Sequence, residues 1–507
     1  MARFRRRLDS PYLWLLAILT LGALVRVWDI ERRDLWLNEA YSVLYAQLPL
    51  ETLVELRRQG TNPPLYHLLL RAWVGAFGTG EFALRMMSAV AGMAAVGLAY
   101  PLGCRFGDRR TGLIACALLA VSNWAICYSQ EARFYALTEA LAILTTLLLY
   151  DTLATRRPGR LVGYALAASA FVWVHTCAWF VLLAQVIWVG LRLRAMPADD
   201  RRRLGRWLGL AGGMVVLSFL PWLPILLDQI RTVSAGYWVP RPRWLDVGDW
   251  AQGMIAPWAP WRWPFVVVCC GIVVVALARR RTHATRSPSP HVVDRVDTTY
   301  LLLWLLLPMA VPVVWSLVGT PIFRPRYALV SQPAALVLLA GLVVRRPALC
   351  GAFLAAFVLA LPRKADCPLV QEDWRAAARL IETQAAPDAR IFVFRNFCYF
   401  PLRYYLDPSR SIIPVFHPDR PRGEYATLYP AGVVQERGLL DAADGPGEVW
   451  IVLSHLDLRV HCVDREALVQ QLCRDGRSCR RFALERVEVL RVGSVVAADD
   501  KAGPGRQ

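Results

Sequence analysis

Several things are scarce in this chain of 507 residues. Of its 58 basic residues only Lys364 and Lys501 are lysines, a bias toward arginine that reads as a coding preference more than a device. The 12 cysteines form no Cys-x-x-Cys pair and no Cys/His spacing, which excludes zinc modules and a thioredoxin-like redox centre. No internal repeat is visible, so a solenoid is excluded and the paired halves of many transporters are missing. Charged residues make up only 19% against 56% hydrophobic, too few for a soluble chain and typical of a helical membrane protein.

What is abundant is arginine in the right places. Arg3 to Arg7, Arg105 to Arg110, Arg156 to Arg160, Arg192 to Arg206, Arg279 to Arg286 and Arg345 with Arg346 form six clusters, each beside a long apolar stretch. The positive-inside rule puts all six on the cytoplasmic face. The formal charge of +19 therefore reflects topology and anionic lipid headgroups, and nucleic acid is not an expected partner. With the N-terminus cytoplasmic, the spans are 11–28, 83–102, 111–127, 133–154, 161–175, 177–192, 207–227, 263–278, 298–318, 327–344 and 348–362, about eleven transmembrane helices of near the required length. The first run is read as a retained span and not a signal peptide, because it lacks a small-residue cleavage pattern and leads into Arg26 and Trp28. Two short helices around His175-Thr176 suit the charge parity better than one long one.

Residues 29–82 form an external loop. Within it, helices near 39–47, 50–59 and 65–77 are expected to lie along the membrane; Leu65 to Phe77 is only about thirteen residues and too short to cross. The odd number of crossings carries the chain from about 363 onward to the outer side. There Glu372-Asp373-Trp374-Arg375 opens an amphipathic helix, and Arg390 to Phe394, Glu448 to Leu453 and Phe482 to Leu490 read as strands. The expected organisation is thus a membrane domain over 1–362, a small extracytoplasmic α/β domain over 363–496, and a disordered tail over 497–507. Seven cysteines lie in or beside the spans; a Cys473 to Cys479 disulfide is open to the outer part.

Five groups carry chemical content. Asp34-Leu35-Trp36-Leu37-Asn38-Glu39-Ala40 sets a carboxylate beside Trp just outside the first span, suited to a general base, or simply to a helix start capped by Asn38 or Asp34. Thr61-Asn62-Pro63-Pro64-Leu65-Tyr66-His67 is a rigid turn into an interfacial helix, or a plain proline-initiated helix. Tyr128-Ser129-Gln130-Glu131-Ala132-Arg133-Phe134-Tyr135 packs a carboxylate, a guanidinium and two phenols into one turn, as a functional or a structural pair. His175 is a proton carrier or phosphate donor, or a hydrogen-bonded structural histidine. Phe323-Arg324-Pro325-Arg326-Tyr327 offers two outward guanidiniums that suit a phosphate, or snorkel to anchor the helix.

In order, Leu35 to Ala40, Asn62-Pro63-Pro64-Leu65-Tyr66, Phe82-Ala83-Leu84-Arg85, Ser129 to Tyr135, His175, and Arg326-Tyr327 with Pro333 resemble the GT-C glycosyltransferases, specifically family 39, the group of protein O-mannosyltransferases and aminoarabinose transferases. The resemblance covers most of the chain. It implies a polyprenyl-phosphate sugar donor met at the outer leaflet of the cell membrane, membrane lipids as partners, an extracytoplasmic lipid, glycan or protein acceptor, and an inverting displacement. Where that family usually has Asp-Glu, this chain has Asn38-Glu39, and Asn cannot take a proton. The roles implied are Glu39 as base, Asn38 as its orienter, Asp34 as a substitute base, and Glu131 as second carboxylate. Arg85, Arg133, Arg324 and Arg326 become phosphate ligands, and Tyr66, His67, Tyr135, His175 and Tyr327 substrate contacts. A divalent cation held by Glu39 and Glu131 is compatible, though no spacing demands one. A lipid-sugar flippase and a non-catalytic GT-C-like binding subunit are the rival readings.

Overall fold

The computed structural model describes residues 11–157, 159–235, 239–255, 295–359, 372–416, 428–429, 434–435, 438–439, 448–454, 469–471 and 477–495. The expected span at 263–278, the tail at 497–507 and Cys473 lie outside them. The chain divides into two compact units, Met1–Ile30 with Pro49–Leu369, and Glu31–Leu48 with Val370–Gln507. The short stretch carrying Asn38 and Glu39 thus belongs with the C-terminal residues.

The first unit is helical. Among the described residues, five helices are long and apolar enough to cross a membrane: Glu81–Arg105, Tyr135–Thr155, Ala198–Arg231, Val296–Val318 and Pro325–Val343. Shorter apolar helices cover Pro11–Val27, Gly159–Val174 and Pro347–Val358. The expected span at 111–127 is not one straight helix. Arg109–Ala120 and Asn123–Ser129 meet at 57°, because Ser122 stops the first and caps the second, its hydroxyl accepting from Ala125 N at 3.4 Å.

A break at that depth exposes carbonyls that lipid cannot satisfy. Arg26, fully buried, supplies the donors. Its guanidinium donates to Ala120 O (2.8 Å), Leu119 O (3.0 Å), Gly22 O (3.1 Å) and Ser129 Oγ (3.2 Å). Gly92 makes room, since a Cβ there would stand 2.1 Å from Ser129 Oγ and 3.2 Å from Arg26 Nε. Glu139 is buried within electrostatic range of Arg26.

Among the described residues, the basic clusters that begin at Arg105, Arg156 and Arg192 gather at one end of these helices. Asp151 pairs with Arg105 (3.0 Å) and with Arg160, Arg156 pairs with Asp200, and Arg192 with Asp297. Between the ends, polar side chains satisfy one another, as apolar surroundings require: Tyr164 donates to Gln185, which donates to Thr145 and Thr146, and Thr146 bonds Tyr300 at 2.6 Å. The Tyr300 ring stacks on Trp188 at 4.4 Å.

The second unit carries a six-stranded sheet, with β1 (Arg390–Phe394), β2 (Ile412–Phe416), β3 (Val434–Gln435), β4 (Val449–Ser454), β5 (Arg477–Ala483) and β6 (Val487–Val495) in the order β3-β2-β1-β4-β6-β5. The first four in that order are parallel; β6 and β5 run antiparallel. Side chains alternate between two cores: Ile391 and Val393 join Trp374, Ile381 and Trp450 on one face, while Phe392 and Phe394 join Leu439, Ile451 and Leu490 on the other. Burial on both faces explains the unbroken apolar runs of β1 and β4. Phe482 to Leu490 is not one strand as expected. It is a hairpin turned at Leu484 to Arg486, where Arg486 takes φ 56° and Leu484 N bonds Val487 O. Helix Trp374–Gln384 begins at the expected residues.

Candidate active site

Within the first unit, the turn between Asn123–Ser129 and Tyr135–Thr155 gathers most of the sequence candidates. Gln130 fixes its start, donating to Arg26 O (3.2 Å) and Trp28 O (3.0 Å). Ser88 Oγ donates to Arg133 O at 3.1 Å and holds its end. Glu131 is thereby buried at 1% exposure, with Arg133 half-buried beside it and Arg133 N bonded to Glu131 O at 2.6 Å.

Rings close around this turn. Phe134 lies 4.4 Å from His175, 4.6 Å from Tyr135 and 6.0 Å edge-on from Tyr66. His175 in turn lies 5.8 Å from Tyr327. The Arg133 guanidinium sits over Phe134 at 4.8 Å and that of Arg326 over Tyr327 at 5.7 Å, contacts that hold a cation without neutralising it. Arg326 lies within electrostatic range of Tyr128, Glu131, Tyr135 and Tyr327. Arg324 precedes it in extended conformation, half-buried. Tyr135 starts a helix of 21 residues that reaches the Asp151 clasp, so this cluster and the basic clusters lie at opposite ends of a rod of about 30 Å.

His67 joins the cluster through Tyr66, 5.3 Å away, and is buried. Burial first, then the charges of Arg57 and Arg133, hold its pKa well below the ordinary histidine value. Its imidazole is therefore a neutral hydrogen-bonding group. The unfolded chain takes up a proton below about pH 6.5 that the folded chain refuses, so stability falls as pH drops through that value. Thermal unfolding of the purified chain from about pH 7.5 to 5 should show this slope, and His67→Gln should flatten it; an unchanged slope would contradict the assignment.

Arg85 stands apart from solvent. It is fully buried, donates to Ile30 O at 2.8 Å and faces Glu81 at 3.9 Å, which ties the end of the first helix to helix Glu81–Arg105. Arg57 similarly braces the proline turn, donating to Asn62 O at 3.0 Å and 3.3 Å.

The remaining candidates belong to the second unit. Helix Leu37–Gln47 starts after Trp36, its N-cap residue, whose side chain makes no cap, so neither Asn38 nor Asp34 stands at the N-cap position. Glu39 is buried in its first turn at 2% exposure, and Ser42 Oγ donates to Asn38 O. Asp34 serves a different helix: its carboxylate accepts Arg375 N at 2.7 Å and lies 3.5 Å from the Arg375 guanidinium. Among the described residues no three His, Cys, Asp or Glu side chains gather, and Glu39 and Glu131 lie on different units.

Sequence reasoning noticed Arg26 only as the end of a span and passed over Tyr405, Phe400 and Tyr429. An arginine inside an apolar run was a usable signal; the aromatic residues carried none.

No family model matches this sequence, and no curated protein matches it significantly. Among solved structures, it is similar to ArnT from Cupriavidus metallidurans in the apo state, at 13% identity over 94% of this chain and 97% of that one, with a TM-score of 0.45. It is similar to the archaeal oligosaccharyltransferase AglB from Archaeoglobus fulgidus in complex with an inhibitory peptide and a dolichol-phosphate, at 12% identity over 79% and 64%, TM-score 0.42. The S. cerevisiae protein O-mannosyltransferase Pmt1-Pmt2 complex bound to the sugar donor gives 16% identity over 43% and 34%, TM-score 0.34. Likeness this loose assigns no role to any residue.

Proposed function

We propose that the chain is an integral membrane glycosyltransferase that moves a sugar from a polyprenyl-phosphate donor to an extracytoplasmic acceptor with inversion, crossing the membrane about eleven times with its C-terminal domain outside. The observation that carries this reading is the cluster of Glu131, Arg133 and Arg326 among aromatic rings, at the helix ends opposite the paired basic clusters. By the positive-inside rule that end is the outer one.

The acceptor hydroxyl attacks the anomeric carbon as the bond from that carbon to the phosphate oxygen breaks. Glu39 takes the hydroxyl proton, Asn38 orients it, and the phosphate departs on its lipid. A phosphate is a good leaving group, so the chain needs mainly a base and preorganised cations. Arg133, Arg324 and Arg326 suit the departing phosphate because they keep partial exposure; Arg85 and Asp34 are engaged in holding structure. His67, His175, Tyr66, Tyr135 and Tyr327 offer neutral hydrogen bonds and ring faces to the sugar. Glu39 and Glu131 each supply hard oxygen donors of the kind a divalent cation takes alongside a phosphate.

The purified full-length chain in liposomes, given radiolabelled polyprenyl-phosphate sugars, should move label out of the lipid fraction and leave polyprenyl phosphate. Movement of label between leaflets with the sugar-phosphate bond intact would overturn the reading in favour of a flippase. Donor binding with neither event would favour a binding subunit.

A further inference from the structure

The stretch 31–48 is built into the second unit by contacts on both sides of Asn38-Glu39. On the N-terminal side, Asp34 accepts Arg375 N, in the first turn of helix Trp374–Gln384 whose own N-cap residue, Asp373, makes no side-chain cap. Arg375 answers by donating to Glu31 O at 3.3 Å and lying over the Tyr405 ring at 5.5 Å. Leu35 N, at a residue with no exposure, donates to Tyr405 Oη at 2.7 Å. On the C-terminal side, the Tyr41 ring packs on Phe400 at 4.8 Å, and its hydroxyl bonds that of Tyr429, which Asn396 also reaches at 3.0 Å.

Helix Leu37–Gln47 has Trp36 at its N-cap position, and that side chain makes no cap. Its first turn, which contains Glu39, therefore starts where the Leu35–Tyr405 bond and the Asp34–Arg375 tie put it. A base must meet its proton within hydrogen-bond reach, and a misplacement of about 1 Å costs on the order of 100-fold in rate.

We propose that the sheet-bearing unit is a positioning element of the transferase, and that Tyr405, with Asp34 and Arg375, sets the placement of Glu39. This rests on the reading of Glu39 as base. Tyr405 touches no reacting atom; it acts through the backbone of Leu35. Removing its hydroxyl orphans a buried N–H and loosens the turn that presents the carboxylate.

The test uses the full-length chain with Tyr405→Phe, Asp34→Ala and Asp34→Asn, the last keeping an oxygen for Arg375 N. Tyr405→Phe and Asp34→Ala should lower kcat for sugar transfer roughly 10- to 100-fold with donor KM within about two-fold, since the reacting group moves and the phosphate contacts stay. Asp34→Asn should lose clearly less. Hydrogen exchange over residues 35–41 should rise in the first two variants while β1 keeps its protection, which shows that the unit is folded. Parental kcat in Tyr405→Phe despite faster exchange, or equal losses in Asp34→Asn and Asp34→Ala, would overturn the proposal. Unchanged exchange in both variants would overturn the positioning claim whether or not transfer is seen. A parent that transfers no sugar would instead sink the proposed reaction.

Discussion

On the proposed reaction, Glu39→Gln should lower kcat for sugar transfer by roughly 10²- to 10⁴-fold while donor KM changes little. The amide matches the carboxylate in shape, so the buried first turn of helix Leu37–Gln47 keeps its packing. What it cannot do is take the acceptor proton. In the proposed reaction Arg133, Arg324 and Arg326 hold the donor phosphate, so donor affinity should be unaffected. Transfer from a radiolabelled polyprenyl-phosphate sugar by mutant and parent at equal folded concentration measures it. Equal turnover would remove Glu39 from the reaction. The effect is the largest expected for activity because the adjacent Asn38 cannot take a proton in its place.

The largest effect on stability belongs to Arg26. Arg26→Met keeps the length and apolar stem but removes every donor from Leu119 O, Ala120 O, Gly22 O and Ser129 Oγ. Each buried group left without its partner costs about 1–3 kcal/mol. The melting temperature of the purified chain in detergent should drop sharply. One Glu139 oxygen already has no hydrogen-bond partner among the described residues, so the single variant Glu139→Gln should cost less than Arg26→Met. A parental melting temperature in Arg26→Met would show that water or lipid headgroups reach the break.

The elements that sequence made legible are those whose signal is local. The helices at 50–59 and 65–77 follow Pro49 and Pro64 and stop at glycine, and both boundaries coincide with the structure. The strand Arg390–Phe394 is a bare apolar run and was equally plain. The bend at Val121 to Ser122 was not, because mean hydropathy ignores where backbone bonds stop and only the distant Arg26 makes the break tolerable. The hairpin at 484–486 was missed for a related reason: it lacks the glycine-asparagine pair that marks tight turns, and Arg486 takes the positive φ instead. The site divides in the same way. Ser129 to Tyr135 was readable because its ionisable and aromatic residues are contiguous. The roles of Asp34 and Arg85 were not, since their partners, Arg375 N and Ile30 O, are backbone groups that no residue pattern reveals.

The ties from Asp34 to Arg375 and from Leu35 to Tyr405 join residues 341 and 370 positions apart. At a ribosomal pace of about 5–20 residues per second, the stretch that follows the first helix waits on the order of 20–70 s for its docking surface to be synthesised. Until then Glu39 stays undocked, and the proposed transfer can begin only when the chain through Tyr405 has emerged and folded. A nascent or truncated chain would thus be inert toward lipid-linked sugar, whatever the state of its membrane helices.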